Sequence, residues 1–246
     1  MAAVPHDTRA AEEYRLAREI PRDGLTAWRT AIGEAARLGP GMTVLDVGAG
    51  TGAFATAFRD WYGVRVLAVE PAEAMRALIP AGGGVEVFDG RGEALPVPDG
   101  CADAAWLGSV VHHLSDLGAT ARELRRALRP GAPVLVRNAF PGRCDRDLRV
   151  RFFPETADGI DDYPTVERLC EAFAEAGFAR VSLDALPQQN APTLAEFARR
   201  IRRGADSKLK ALDDAQFEAG MERLRAAAAA DPAEPATSWM DLLVLA

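Results

Sequence analysis

Cysteine is scarce in this chain. Cys101, Cys144 and Cys170 are odd in number and widely spaced, so they fit neither a disulfide framework nor a zinc site. Reduced thiols are expected, as in a cytoplasmic protein. Long apolar runs are missing too, and none approaches the roughly 20 residues that cross a bilayer. The first residues, with His6, Asp7, Arg9 and Glu12, lack the apolar core of a secretory signal. Basic charge is in deficit: 29 Lys and Arg face 36 Asp and Glu, a formal net charge of −7. That balance weighs against a nucleic-acid or anionic-membrane partner. His112 and His113 are adjacent, but no Asp, Glu or Cys accompanies them at ligand spacing, so no metal is expected.

What the chain has is a glycine-rich turn. Val44–Phe54 reads V-L-D-V-G-A-G-T-G-A-F. The apolar run predicts a buried strand, and Gly48, Gly50 and Gly52 let the backbone turn sharply and approach a ligand. Ala53–Arg59 then starts a helix whose free N–H groups face that ligand. The spacing is G-x-G-x-G, not the G-x-G-x-x-G of a dinucleotide site, and no G-K-[ST] follows.

The 246 residues suffice for one α/β domain. Helices are expected over Ala10–Glu19 and Leu25–Leu38. Strands over Val44–Val47, Val64–Val69, Val85–Phe88, Ala102–Leu107 and Pro133–Arg137 alternate with helices Ala72–Leu78 and Ala119–Leu128. This alternation predicts a parallel sheet covered on both faces. On Ala119–Leu128, Arg122, Arg125 and Arg126 are expected to point outward. Pro141–Pro164 reads as a loop with a short insert. Helix Val166–Ala176, strand Phe178–Leu183, helices Thr193–Arg203 and Asp213–Ala230, and strand Trp239–Leu245 complete the chain. Residues 1–40 form an amino-terminal helical segment, 41–140 the core, and 187–235 a helical cap insertion.

Strand, D-x-G-x-G-x-G and helix together resemble motif I of the class I S-adenosylmethionine (SAM)-dependent methyltransferases. The nearest branch is the small-molecule (methyltransferase type 11, UbiE-like) one. Three further segments in the expected order carry the resemblance. Glu70 lies at the tip of the second strand, about 20 residues past the loop, where an acid accepts hydrogen bonds from ribose hydroxyls. Gly90–Gly100 (G-R-G-E-A-L-P-V-P-D-G) is similar to the family segment that lines the adenine. Arg91 stands where that family often has Asp, and Gly92 replaces an Ala. Gly108–Leu114 (G-S-V-V-H-H-L) matches the loop after strand four that borders the reaction site, and Glu123–Ala132 resembles a further family segment.

The resemblance implies a seven-stranded doubly wound sheet of order 3-2-1-4-5-7-6, strand seven antiparallel, and SAM as cofactor with S-adenosylhomocysteine (SAH) as product. By resemblance Asp46, Gly48, Ala49, Gly50 and Gly52 meet the methionine part, and Glu70 the ribose. Pro71, Met75, Arg91, Gly92 and Glu93 surround the adenine, and Ser109, in the loop that borders the reaction site, is a further cofactor contact. Tyr14 and Arg18 share one helical face and lie over the cofactor, where Arg18 can pair with its carboxylate. His113, with His112 second, is the candidate general base. The acceptor is expected to be a small molecule, because strand four ends in L-G-S-V and not in the N/D-P-P-Y/F of many nucleic-acid enzymes. A nicotinamide-dependent oxidoreductase, a nucleic-acid methyltransferase and a SAM-binding member that does not methylate stay open. So do monomer and homodimer. Arg137, Asn138 and Arg143 follow strand five and read as a surface loop, with contact to an anionic substrate as the alternative. Trp28, Phe152, Phe153, Phe197 and Trp239 read as core, with a pocket lining as the alternative, and Arg199–Arg203 as a solvated helix face.

Overall fold

A computed structural model describes Ala11, residues 21–205 and residues 207–246. The expected first helix, with Tyr14 and Arg18, lies outside the described residues except for Ala11. Seven strands form one sheet of order β3-β2-β1-β4-β5-β7-β6. They are β1 (Thr43–Val47), β2 (Arg65–Val69), β3 (Val85–Phe88), β4 (Ala104–Gly108), β5 (Val134–Asn138), β6 (Arg180–Ala191) and β7 (Ala236–Leu245). β1 pairs in parallel with β2 and β4, while β7 runs antiparallel between β5 and β6. The expected order and the reversed last strand are both present.

Every residue of β1 is buried, as a strand covered on both faces requires. Alternate residues feed two cores. Leu45, Val47, Leu107 and Val136 pack with helices α4 (Leu117–Ala127) and α7 (Val166–Ala174). Val44, Val66, Trp106 and Leu135 pack on the other face, where α1 (Thr26–Ala36) and α2 (Ala53–Tyr62) supply Trp28, Ile32 and Phe58. The helix expected after strand two shrinks to one turn, α3 (Glu73–Arg76).

Two departures matter. The segment 141–164 holds two short helices, α5 (Leu148–Phe152) and α6 (Asp158–Asp161), where a loop was expected. β6 extends to Ala191, so Pro187–Ala191 belong to the sheet and not to the cap. The cap helices are α8 (Leu194–Arg200), α9 (Ser207–Lys210) and α10 (Asp214–Ala230). Asp213 opens α10 with a reciprocal capping box to Gln216. α8 and α10 bury Leu194, Phe197 and Leu224 against Phe152 and Phe153 of the 141–164 segment. Trp28, Phe152, Phe153 and Phe197 are core residues as expected, whereas Trp239 is half-buried beneath the Arg146 guanidinium.

Candidate active site

The carboxyl ends of β1, β2, β4 and β5 meet at one rim, where ligands bind in open α/β sheets. The turn after β1 is anchored by two bonds to Val69 O, from Gly48 N at 2.8 Å and Ala49 N at 3.1 Å. Gly48 and Gly50 both have positive φ, +70° and +57°. Their surroundings differ. A Cβ on Gly48 would lie 2.3 Å from Val110 Cγ2, so the turn is wedged against the loop after β4. A Cβ on Gly50 would meet nothing within 4 Å among the described residues. α2 then starts at Gly52 without any side-chain cap, which leaves its first N–H groups available to a ligand.

Two carboxylates sit under and beside this turn. Glu70 is buried, and its two oxygens accept from Gly50 N at 2.8 Å and Ala72 N at 2.9 Å. It therefore braces the glycine turn against the tip of β2, a task the sequence did not disclose. Asp46 is 2% exposed, and its Oδ2 has no hydrogen-bond partner among the described residues. Burial, helped by the negative charge of Glu70, pushes its carboxyl up to about 8. A buried acceptor oxygen without a donor is costly, and a cationic or N–H-bearing ligand would relieve it.

The Gly90–Gly100 segment is clamped from α4. Arg126 does not point outward as expected. It folds back to donate to Leu95 O at 2.9 Å, Val97 O at 2.8 Å and Asp99 Oδ1 at 2.7 Å. Glu123 accepts from Leu95 N at 2.8 Å. Met75 is buried near this end of the sheet, Pro71 and Arg91 are exposed, and Gly92 is buried against Leu114 and Thr120. Glu93, expected at the cofactor, has a different task in the structure: its Oε1 accepts from Ser115 N at 2.7 Å and Ser115 Oγ at 2.8 Å. Burial raises its carboxyl, but these bonds outweigh burial and hold it below the usual range.

After β4, Ser109 adopts φ +57°, followed by a 3-10 turn over Val111–His113. His112 is half-buried, its ring stacked on Tyr163 with centroids 3.9 Å apart and planes 3° apart. His113 is exposed, its ring centroid 4.1 Å from that of His112. The surface loop expected after strand five is absent at its start. Arg137 and Asn138 belong to β5 and are buried, and Arg143 pairs with Asp241 at 2.7 Å. Arg137 is therefore buried in the sheet beside the rim, not on a surface loop. An arginine ending an apolar strand was the available signal. Among the described residues no group of three or more His, Cys, Asp and Glu is placed to hold a metal ion, and no helix is long and apolar enough to cross a membrane.

Comparison with known proteins bears on this rim. Over 148 residues the chain is 30% identical to 2-methyl-6-phytyl-1,4-hydroquinone methyltransferase from Synechocystis sp., which is 58% of this chain and 44% of that protein. Over 143 residues it is 32% identical to the ubiquinone/menaquinone biosynthesis C-methyltransferase UbiE of Caulobacter sp. strain K31, 52% of this chain and 56% of that one. The chain thus spans about half the length of the curated relatives it matches. A solved structure from Anabaena variabilis, assigned as a methyltransferase of an antibiotic biosynthesis pathway, shares the fold with a TM-score of 0.67. It is 20% identical and is matched over 89% of this chain and 96% of its own. The methyltransferase domain family matches residues 45–136, which run from β1 to β5 and include the glycine turn, Glu70, the Gly90–Gly100 segment and the His112–His113 loop. Over these residues the chain is similar to the methyltransferase domain family.

Proposed function

We propose that this chain is a SAM-dependent methyltransferase acting on a small molecule. The observation that carries the proposal is the buried Oδ2 of Asp46, without a hydrogen-bond partner among the described residues, beside the Glu70-braced glycine turn. The residues present fit the cofactor. Asp46 offers its free oxygen to the ammonium of the methionine part. Glu70, at the tip of β2, is the carboxylate that would accept from the ribose hydroxyls, and a carboxylate there repels a 2′-phosphate. The open space over Gly50 admits the ligand backbone, and Met75 supplies an apolar surface for the adenine. When bound, SAM supplies a methyl group already activated on a sulfonium sulfur.

The protein's own task is alignment. Holding an O, N, C or S nucleophile in near-attack geometry supplies roughly 7–11 kcal/mol of the barrier reduction. The Ser109–Leu114 loop and the cap supply that positioning. His113, exposed at the rim, accepts the proton where the acceptor must lose one. The hydroquinone named for one relative and the quinone biosynthesis named for another make a small aromatic acceptor the leading class to screen.

Calorimetric titration of SAM, SAH and NAD into wild type and Glu70→Ala tests the proposal. Wild type is expected to bind SAM and SAH in the micromolar range and not NAD. The substitution is expected to cost about 1–3 kcal/mol, because it removes both a brace and a ribose acceptor. A folded wild type that binds neither SAM nor SAH would refute the reading.

A further inference from the structure

The loop after β4 is held from a direction that the family motifs do not include. Ser109 is one of two non-glycine residues with positive φ among the described residues. That conformation is strained for an ordinary side chain, so its surroundings must impose it. Ser109 N donates to Arg137 O at 2.7 Å, and Arg137 Nη1 donates to Ser109 Oγ at 2.9 Å. The second arm of the same guanidinium, Nη2, donates to Gln188 Oε1 in β6. Arg137 is 7% exposed, and its guanidinium carbon lies 5.2 Å from the Trp28 ring centroid and 5.5 Å from that of Phe54. Trp28 comes from α1, Phe54 from the first turn of α2, and Gln188 from the strand that leads into the cap.

We infer that Arg137 is a positioning residue that fixes the Ser109 turn, and with it the His112–His113 segment, against the cap-bearing strand β6. The planar fork matters as much as the charge. Two N–H arms at fixed spacing reach Ser109 and Gln188 together, whereas a lysine ammonium is a single point on a flexible stem. The aromatic walls of Trp28 and Phe54 confine the fork. Any strain at β6 from what the cap encloses therefore bears on Ser109 through one side chain. The consequence for methyl transfer rests on the proposed function; the positioning itself does not.

The test compares wild type, Arg137→Lys, Ser109→Ala and the double variant as full chains. Ser109→Ala keeps the strained backbone demand and removes only the hydroxyl that Arg137 holds. Hydrogen exchange of peptides covering 109–116, measured without ligand, is expected to be about tenfold faster in Arg137→Lys while exchange in the β1 and β4 strands stays native. SAH affinity is expected to fall about fivefold in either single variant and no further in the double, a non-additivity that a general packing defect would not give. Arg137→Lys that folds with wild-type exchange at 109–116 overturns the inference. If that variant does not fold, Ser109→Ala decides: faster exchange at 109–116 supports the inference and native exchange overturns it. A wild type that binds no SAH sinks the methyltransferase reading and leaves the exchange result standing by itself.

Discussion

At Asp46 a carboxylate is buried beside a second carboxylate, Glu70, and this makes the ligand-free protein depend on pH. Its folded value of about 8 stands above the 3.8 of an ordinary aspartate. Between those values the folded chain holds a proton that the unfolded chain has lost. The stability contributed by this group is therefore complete below about 3.8, declines as pH rises, and levels off above about 8. Asp46→Asn is expected to remove that decline and to raise the melting temperature of the ligand-free protein near pH 8.5, read as the difference between variant and wild-type thermal scans at about pH 5 to 9. The same variant is expected to bind SAH less well. SAH affinity of wild type should rise with pH up to about 8, because the carboxylate that meets an ammonium must first lose its proton. Single residues were legible where a motif assigned them. Asp46 and Glu70 could be named from their spacing to the glycines. The brace from Glu70 to Gly50 and the turn of Ser115 about Glu93 could not, because both join segments that are distant in sequence.

Among the elements, the glycine turn separates two roles that the sequence shows as one. Gly48→Ala would drive a methyl into Val110 and impose a left-handed alanine, so a loss of several kcal/mol in denaturant unfolding is expected, about 1–2 of it from backbone strain alone. Gly50→Ala meets open space and bears only the strain. It is expected to melt within a few degrees of wild type yet to lose SAH affinity about tenfold or more, because its methyl occupies the ligand side of the turn. Equal destabilisation by the two changes would contradict this division. Strands β1, β2, β4 and β5 could be read because their apolar runs are buried on both faces and bounded by turn residues. β6 could not be read in full. Ser182, Asp184, Gln188 and Gln189 interrupt its apolar pattern, and the antiparallel ladder to β7 keeps it extended through Ala191. The α5 and α6 helices are stabilised by contacts to the cap and to β7, a tertiary cause that local sequence does not carry.

For the molecule as a whole, the sheet order was legible only through the resemblance, since no periodicity places strand seven inside strand six. β7 is the only ladder partner of β6 among the described residues, and β5 has β7 on its outer side. A chain ending at Pro235 is expected to lose cooperative unfolding in calorimetry, with Leu135, Val136 and Phe178 left without their covering strand. Retention of a sharp native transition would mean that β6 can pair directly with β5. During synthesis the same arrangement sets an order of events. β6 leaves the ribosome well before β7, with α8 to α10 made in between. Through that interval it has no strand to bond, and the edge of β5 stays open to other chains. The cap helices, whose own contacts among α8 and α10 are local, can assemble while β6 waits. The sheet is therefore sealed from its interior outward, by a strand that arrives after both of its neighbours. The speed at which residues 236–245 find that slot governs how long the nascent protein is exposed to aggregation.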